Sequence, residues 1–558
     1  MRFFRPPYFG DAEPSTPQEV EPLLVAQRLG YLIAGLRIDT EDWQKPAPAQ
    51  IVNNALTRLA DTNPQTGGQV VLLHDAGGDR SHTVEALPAL IDAIRARGLK
   101  LVTLDQLAGM SRADALPPTS RSAWELFLDR IGFGFFRYLN AGMQGLFTIA
   151  IVLGVARLAF LAVLSLWHRF REPAREPPLL DKATGPMISV LIPCYNEEKV
   201  IVSSVERILQ SDWAHLEVLV VDDGSKDRTS AVVREAYANE PRVTLLTFEN
   251  GGKARALNRG LGYCNGEIVV ALDADTLFPP ETLPRLARWF ADPRVGAVAG
   301  NAIVGNRLNL VTRWQGLEYV TAQNLERRAL AALGAVTVVP GAVGAWRKAT
   351  LQALGGYPAD TLAEDQDLTL ACQSAGWRVE FDSSARAYTE APDTVKGLLN
   401  QRFRWSFGTL QCIWKHRRDL FSTRRPVLGF VALPQIWLFQ IFLTVAAPLV
   451  DLAIVSSLAW AFYGHYFHPV EWSPDDTLRS LFYWAAFIFL DLSAGALGMA
   501  LERRAPWGDL VWLPVQRFGY RQLMYWVVVR SVATAIGGYR VGWGKLERRA
   551  TAVVGKAG

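Results

Sequence analysis

From residue 187 the chain alternates short, wholly apolar runs with amphipathic ones. "MISVLIP", "LEVLVVDD" and "GEIVVALDAD" are continuous apolar stretches, and the last two close on acidic residues. Runs of that length without alternation fit strands buried on both faces. Helical spacing fills the intervals. Residues 187–415 therefore predict a mostly parallel sheet flanked by helices. Ligands of such sheets sit at the carboxyl ends of the strands, and the acidic clusters fall at those ends. The first 110 residues repeat the alternation in miniature. "VVLLHDAGG" (70–78) reads as a buried strand ending in a loop. "TVEALPALIDAIRARG" (83–98) reads as an amphipathic helix closed by Gly98, and "LKLVTLDQLAG" (99–109) as a further strand. "MRFFRPPYFG" lacks the apolar core of a signal peptide.

A second pattern is apolar over a much longer range. Residues 144–166 are long enough to span a bilayer, which takes about 20 residues. Arg157 lies inside this run and is expected to face protein or to snorkel. The basic "HRFREPAR" (168–175) that follows predicts a cytoplasmic middle domain. Residues 427–463 would extend about 55 Å as helix, too long for one crossing of about 30 Å and too short for two with a turn. They predict one interfacial segment plus one crossing. Residues 479–500 predict another. The acidic "HPVEWSPDDT" between them fits the outside, and "LERRAP" (501–506) fits the inside. The last run, 509–538, either lies in the interface or re-enters, or it crosses against the charge rule, since the tail after it is basic.

Composition adds little to this division. The chain has 558 residues, half of them hydrophobic and 11% aromatic, which suits a protein part soluble and part membrane. A net charge of +4 on that length gives no reason to expect nucleic acid as a partner. The positive charge is clustered instead, in "KHRRDLFSTRRP" (415–426) and "WGKLERRA" (543–550). The four cysteines, Cys194, Cys264, Cys372 and Cys412, form no CxxC pair and read as reduced structural thiols.

Four motifs carry candidate chemistry. "VVDDGSKD" (220–227) places Asp222 and Asp223 after a buried strand, either to bind a ligand or to cap the next helix. "LDADT" (272–276) places Asp273 and Asp275 at another strand end, where paired carboxylates suit a hard divalent cation that also binds phosphates. "LAEDQDLTL" (362–370) opens a helical pattern with Glu364 and Asp365. These are either N-terminal caps or a general base. "QRFRW" (401–405) puts Gln401, Arg404 and Trp405 on one helical face. An arginine there can grip a pyrophosphate and a tryptophan can cover a sugar ring; both residue types also anchor at membrane interfaces.

The order DDG, DxD, ED, QxxRW before a membrane region resembles the processive, membrane-embedded family 2 glycosyltransferases. These include cellulose, hyaluronan, chitin-oligosaccharide and poly-N-acetylglucosamine synthases. "PCYNEE" (193–198), "GGKARALNRG" (251–260) and "VPGAVGAWRK" (339–348) extend the resemblance over about residues 185–550. It implies a GT-A-type α/β domain embedded in transmembrane helices. It also implies that Asp222 and Asp223 hold the uridine of a UDP-sugar donor and that Lys253 lies near its phosphates. Asp273 and Asp275 would bind Mg2+ or Mn2+. Asp365, supported by Glu364, would be the base, with Gln401, Arg404 and Trp405 closing over pyrophosphate and acceptor. One base and direct displacement imply inversion.

At the amino terminus, "RFFRPPYFG" (2–10), "IDTEDW" (38–43) and "LLHDAGGD" (72–79) resemble later motifs of polysaccharide deacetylases, with Arg5, Asp42, Trp43 and His74 at matching positions. The paired metal-binding histidines of that family are absent, which implies a remnant or truncated domain. A deacetylase partner points to an N-acetylated polymer. The expected organisation is a partial deacetylase-like α/β domain (1–110), a linker and pre-membrane segment (111–143), a transmembrane helix (144–166), a catalytic domain (185–415) and C-terminal transmembrane and interfacial helices (427–540). The expected function is β-linked polymerisation of N-acetylglucosamine with export. A growing polysaccharide acceptor and the lipid bilayer are the further partners. The middle domain is placed cytoplasmic at the inner membrane, the amino-terminal domain outside. The alternatives are another donor such as UDP-glucose, an extracytoplasmic deacetylase with a passive anchor, or a silent scaffold.

Overall fold

The computed structural model describes residues 2–5, 17–34, 38–61, 70–75, 79–117, 122–467, 474–502, 507–538 and 549–554. Residues 6–10 of the first motif, 76–78, 503–506 and most of "WGKLERRA" lie outside them, as does most of "HPVEWSPDDT". Two compact units emerge, 1–139 with 468–471, and 140–467 with 472–558.

The second unit is built on a seven-stranded sheet. Its strands are β1 (Ile188–Cys194), β2 (Leu216–Asp222), β3 (Val243–Thr247), β4 (Ile268–Ala271), β5 (Val295–Val304), β6 (Gly344–Arg347) and β7 (Arg378–Thr389), in the order β7-β5-β6-β4-β1-β2-β3. β1 runs parallel to β2 and β4, and β2 to β3, while β6 is antiparallel to β4 and β5. Apolar residues on both faces explain why these runs do not alternate. Ile188, Val190 and Ile192 enter one core layer, Leu191 and Val269 the other. The carboxyl ends of β1, β2 and β4 share one edge, which fixes the place of the acidic motifs.

The helices named below are α1 (Ala123–Arg175), α2 (Lys253–Leu261), α3 (Leu310–Glu318), α4 (Leu325–Ala331), α5 (Glu364–Ser374) and α6 (Val395–Lys415). Beyond them lie α7 (Leu443–Phe467), α8 (Pro474–Leu501) and α9 (Tyr520–Ile536). Among the described residues, three stretches are long and apolar enough to cross a membrane: Ala141–Glu172, Leu428–Phe467 and Leu481–Leu501. The second runs as a single helical path of 40 residues. Two π-helical segments, Leu428–Ala432 and Ile436–Phe442, flank Pro434 and carry the chain past it without a break. Arg157 faces protein: its Nη2 lies 2.7 Å from Glu326 on α4. The last apolar helix, α9, rests on α6, with Val527 against Phe403 and Phe407 and the Arg530 guanidinium 4.7 Å from the Phe403 ring centroid.

The first unit is a small α/β piece. Strands Ile38–Asp39 and Val71–Leu72 pair in parallel under helices Pro48–Leu59 and Ser81–Ala96, around Ile38, Ala55, Leu90 and Ile94. The run 99–109 forms no strand among the described residues. Leu99, Leu101 and Val102 stay exposed. Thr103 instead opens a short helix, Leu104–Leu107, with its N–H donating to the Gln106 side chain. An apolar run lacking a strand partner gains nothing from extended backbone. Asp42 is buried, and its carboxylate is met by His74 Nδ1 at 2.7 Å and by the Thr83 hydroxyl at 3.0 Å.

Candidate active site

Asp222 ends β2 and turns into its own loop. Its Oδ1 accepts from Ser225 N–H at 2.9 Å, and its Oδ2 accepts from the Ser230 hydroxyl. Asp223 is buried too. Its two carboxylate oxygens accept from the N–H groups of Gly251 (2.9 Å) and Gly252 (2.7 Å). Gly252 has φ of +89°, a conformation that side chains rarely adopt, and the next residue, Lys253, starts α2. The "DDG" and "GGKA" motifs thus form one device, in which Asp223 sets where Lys253 enters the site.

Lys253 Nζ lies 2.8 Å from Asp273 and 2.9 Å from Glu364. Burial pulls this ammonium down, but Asp273, Glu364 and Asp365 outweigh it and hold it well above its ordinary 10.5. Gly341, in the loop before β6, ties the cluster together. Its carbonyl accepts from Asp273 N–H at 3.1 Å and its N–H donates to Asp365 Oδ2 at 3.3 Å. A Cβ on Gly341 would stand 2.8 Å from Lys253 Nζ, so the motif needs glycine there for space. Asp365 Oδ1 accepts from Gln366 N–H at 2.8 Å. Burial, then the neighbouring Glu364 charge, push the Asp365 carboxyl up to about 6, although Lys253 opposes them. A small pocket opens here, lined by Lys253, Gly341, Trp346, Tyr357, Glu364 and Asp365 among others. Asp275 is buried two residues beyond Asp273, within electrostatic reach of Tyr319.

The "QRFRW" motif is helical, within α6. Gln401 is buried and its Oε1 accepts from Arg402 Nη1 at 2.8 Å. Arg404 is half-buried, and Trp405 is 37% exposed with its ring 6.5 Å from that of Tyr319. The organiser is a residue that the shared-face argument passes over. Arg402 is buried, pairs with Glu318 at 2.6 Å, donates to the Tyr520 hydroxyl at 3.3 Å, and lies 4.1 Å from the Trp405 ring centroid. Burial opposes its charge, yet Glu318 and the tyrosines more than compensate and raise its pKa. Arg402 sits inside the motif and was available to sequence reasoning. Glu318 and Tyr520, 84 residues before and 118 after it, carry no local signal.

The far end of α6 is tied to α5. Lys415 Nζ and His416 Nε2 each lie 2.8 Å from the buried Asp367 carboxylate. The helix that carries Asp365 and the helix that carries Arg404 are therefore held in fixed relation at the site's rear.

Residues 186–408 match the family described as "Glycosyltransferase like family 2". The chain is 32% identical to an N-acetylglucosaminyltransferase of Rhizobium leguminosarum bv. viciae, over 47% of this chain and 67% of that protein. It is 29% identical to a poly-beta-1,6-N-acetyl-D-glucosamine synthase of Staphylococcus aureus (strain COL), over 43% of this chain and 57% of that one. Among solved structures, a mannosyltransferase from Pyrobaculum calidifontis, in complex with GDP-Man and Mn2+, is 25% identical with a TM-score of 0.48, covering 67% of this chain and 99% of its own. Among the described residues, three helices long and apolar enough to cross a membrane accompany the mixed sheet. The chain belongs to glycosyltransferase family 2, as a membrane protein whose central domain is a glycosyltransferase of GT-A type.

Proposed function

We propose that this chain adds N-acetylglucosamine from UDP-N-acetylglucosamine to the end of a growing β-linked polysaccharide, with inversion, and passes the product across the membrane. The observation that carries the reading is the meeting of Lys253, Asp273, Glu364 and Asp365 at the strand ends. The donor sugar follows from the activities named for the rhizobial and staphylococcal relatives.

In the reaction, an acceptor hydroxyl gives its proton to Asp365 as its oxygen bonds to the donor's anomeric carbon. The bond from that carbon to the diphosphate breaks, and UDP leaves with the electron pair. A carboxyl poised at about 6 is ionised at neutral pH yet still basic enough to share a proton in the transition state. Lys253 offers fixed positive charge to the diphosphate, and Asp223 positions it through the glycine turn. Asp222 and Asp223 mark the uridine end. Arg404 reaches for the pyrophosphate, the exposed face of Trp405 for the acceptor ring, and Gln401 braces Arg402 behind them.

Asp273 and Asp275 would hold Mg2+ or Mn2+. Among the described residues, no group of three or more His, Cys, Asp or Glu forms a cage. Two carboxylates alone fit a hard cation that keeps positions for phosphate oxygens. Such an ion supplies charge neutralisation at the leaving diphosphate. We place the catalytic domain on the cytoplasmic face of the inner membrane and the first unit outside.

The test is UDP release by the purified chain in detergent with Mg2+ or Mn2+. UDP-N-acetylglucosamine should outcompete UDP-glucose in radiolabelled incorporation, and Asp365→Asn should abolish turnover. Equal turnover by wild type and variant would overturn the base assignment, and preference for UDP-glucose would overturn the donor.

A further inference from the structure

The basic run 415–426 lines no part of the pocket. Lys415 and His416 are spent on Asp367, and Arg425 Nε donates to the Ser374 carbonyl at 3.2 Å, at the end of α5. The remaining three, Arg417, Arg418 and Arg424, are exposed, and among the described residues none of them forms an ion pair. The one nearby carboxylate of the loop, Asp419, accepts from the Ser374 hydroxyl at 2.9 Å and faces His416 at 3.7 Å.

Exposed rings stand among these cations. Trp414 is 65% exposed, with the Arg417 guanidinium 4.7 Å from its centroid. Phe421 is 63% exposed on a backbone with φ of +58°, a conformation unfavourable for an aromatic residue. Its N–H donates to Gly429 O at 3.0 Å, and its ring lies 5.9 Å from that of Phe430. Phe430 already belongs to the stretch Leu428–Phe467 that can cross a membrane. The loop tip therefore lies level with the start of that stretch. Arg417 Nη1 donates to the Trp414 carbonyl at 2.7 Å, and guanidinium groups without a carboxylate partner beside water-exposed aromatic rings at that level match the phosphate and acyl boundary of a leaflet.

We propose that Arg417, Arg418 and Arg424, with Trp414 and Phe421, form a binding surface for anionic phospholipid headgroups. Occupancy would act on the site, because the same loop grips α5 through Ser374 and Asp367 and so braces the helix that carries Asp365. The effect on rate rests on the glycosyl-transfer reading; the lipid binding does not.

The full chain is purified in detergent and titrated with phosphatidylglycerol or phosphatidylcholine, and retained lipid is counted by native mass spectrometry. Wild type should retain phosphatidylglycerol in preference. The triple variant Arg417→Gln, Arg418→Gln, Arg424→Gln should weaken that retention by on the order of 100-fold, while the triple lysine variant keeps most of it. Millimolar inorganic phosphate should not displace the lipid. In reconstituted vesicles, phosphatidylglycerol should raise UDP release by wild type and not by the glutamine variant, with equal rates in pure phosphatidylcholine. Equal phosphatidylglycerol retention by wild type and the glutamine variant overturns the proposal. So does loss in the lysine variant equal to that in the glutamine variant, or displacement by phosphate. A chain that retains phosphatidylglycerol selectively but releases no UDP leaves this surface standing and sinks the transferase reading instead.

Discussion

Asp365→Asn should cost the enzyme its reaction and make its fold more stable. The wild-type carboxyl rises from an ordinary 3.8 to about 6 because burial and Glu364 penalise its charge. Its contribution to stability is therefore greatest in acid, below 3.8, and is lost as pH climbs through 6. Above that point the ionised carboxylate costs the fold about 3 kcal/mol, at 1.36 kcal/mol per pKa unit. Asparagine removes the charge and keeps the shape. Lys253 retains its two partners, Asp273 and Glu364, at 2.8 and 2.9 Å. The amide must turn its oxygen to Gln366 N–H, so its NH2 faces Gly341 N–H and a 3.3 Å hydrogen bond is lost. That returns about 1 kcal/mol. The net gain is about 2 kcal/mol near pH 8, falling to about zero near pH 4.5. Thermal unfolding in detergent at the two pH values reads this directly. For a domain of this size the melting point should rise by about 4–8 °C at the higher pH and stay level at the lower. UDP release should fall on the order of 1000-fold. A variant less stable than wild type near pH 8, or one whose advantage does not change with pH, refutes the placing of a strained, ionised carboxylate at this position.

In the wild type, the rate of UDP release at saturating donor should rise with pH through about 6 and then level off, as the Asp365 carboxyl ionises; a pH-independent rate from 5 to 8 counts against it. Gly341→Ala drives a methyl to 2.8 Å from Lys253 Nζ. It should raise the KM for the donor at least about tenfold with little change in melting point, because the cost falls on the diphosphate contact. Arg402→Gln leaves the half-buried Glu318 without its counter-charge, with only the Tyr520 hydroxyl as partner, and should destabilise by about 1–3 kcal/mol, with proteolysis near Tyr520 as the early sign that α9 has come away. Asp223→Asn should act on donor binding through Lys253. It turns one acceptor for the Gly251–Gly252 N–H pair into a donor, and isothermal titration with UDP should show the loss.

The strands were legible because burial on both faces writes a continuous apolar run, which local sequence reports directly. "MISVLIP" became β1 and "LEVLVVDD" became β2 because nothing distant had to be known. Residues 99–109 show the limit: their apolar content matched a strand, but a strand is defined by its neighbour, and the described residues offer none. The site divides along the same line. Asp273, Glu364 and Lys253 could be named one motif at a time because each motif sits at a strand end or a helix start. Their convergence within 3 Å depends on Gly341, whose importance lies in an absent side chain that leaves room for Lys253. The helical face drawn for Gln401, Arg404 and Trp405 was sound geometry. It left out Arg402, which is on the buried side of α6 and does its work through Glu318, Tyr520 and the Trp405 ring. A buried arginine within a charged motif is invisible until its counter-ion is found, since burying an unpaired guanidinium would cost several kcal/mol. The same reasoning runs in reverse at the membrane edge. Arg417, Arg418 and Arg424 looked like part of one basic run with Lys415, His416 and Arg425, and the buried Asp367 and the Ser374 carbonyl separate the cations already spent within the protein from those left for a partner.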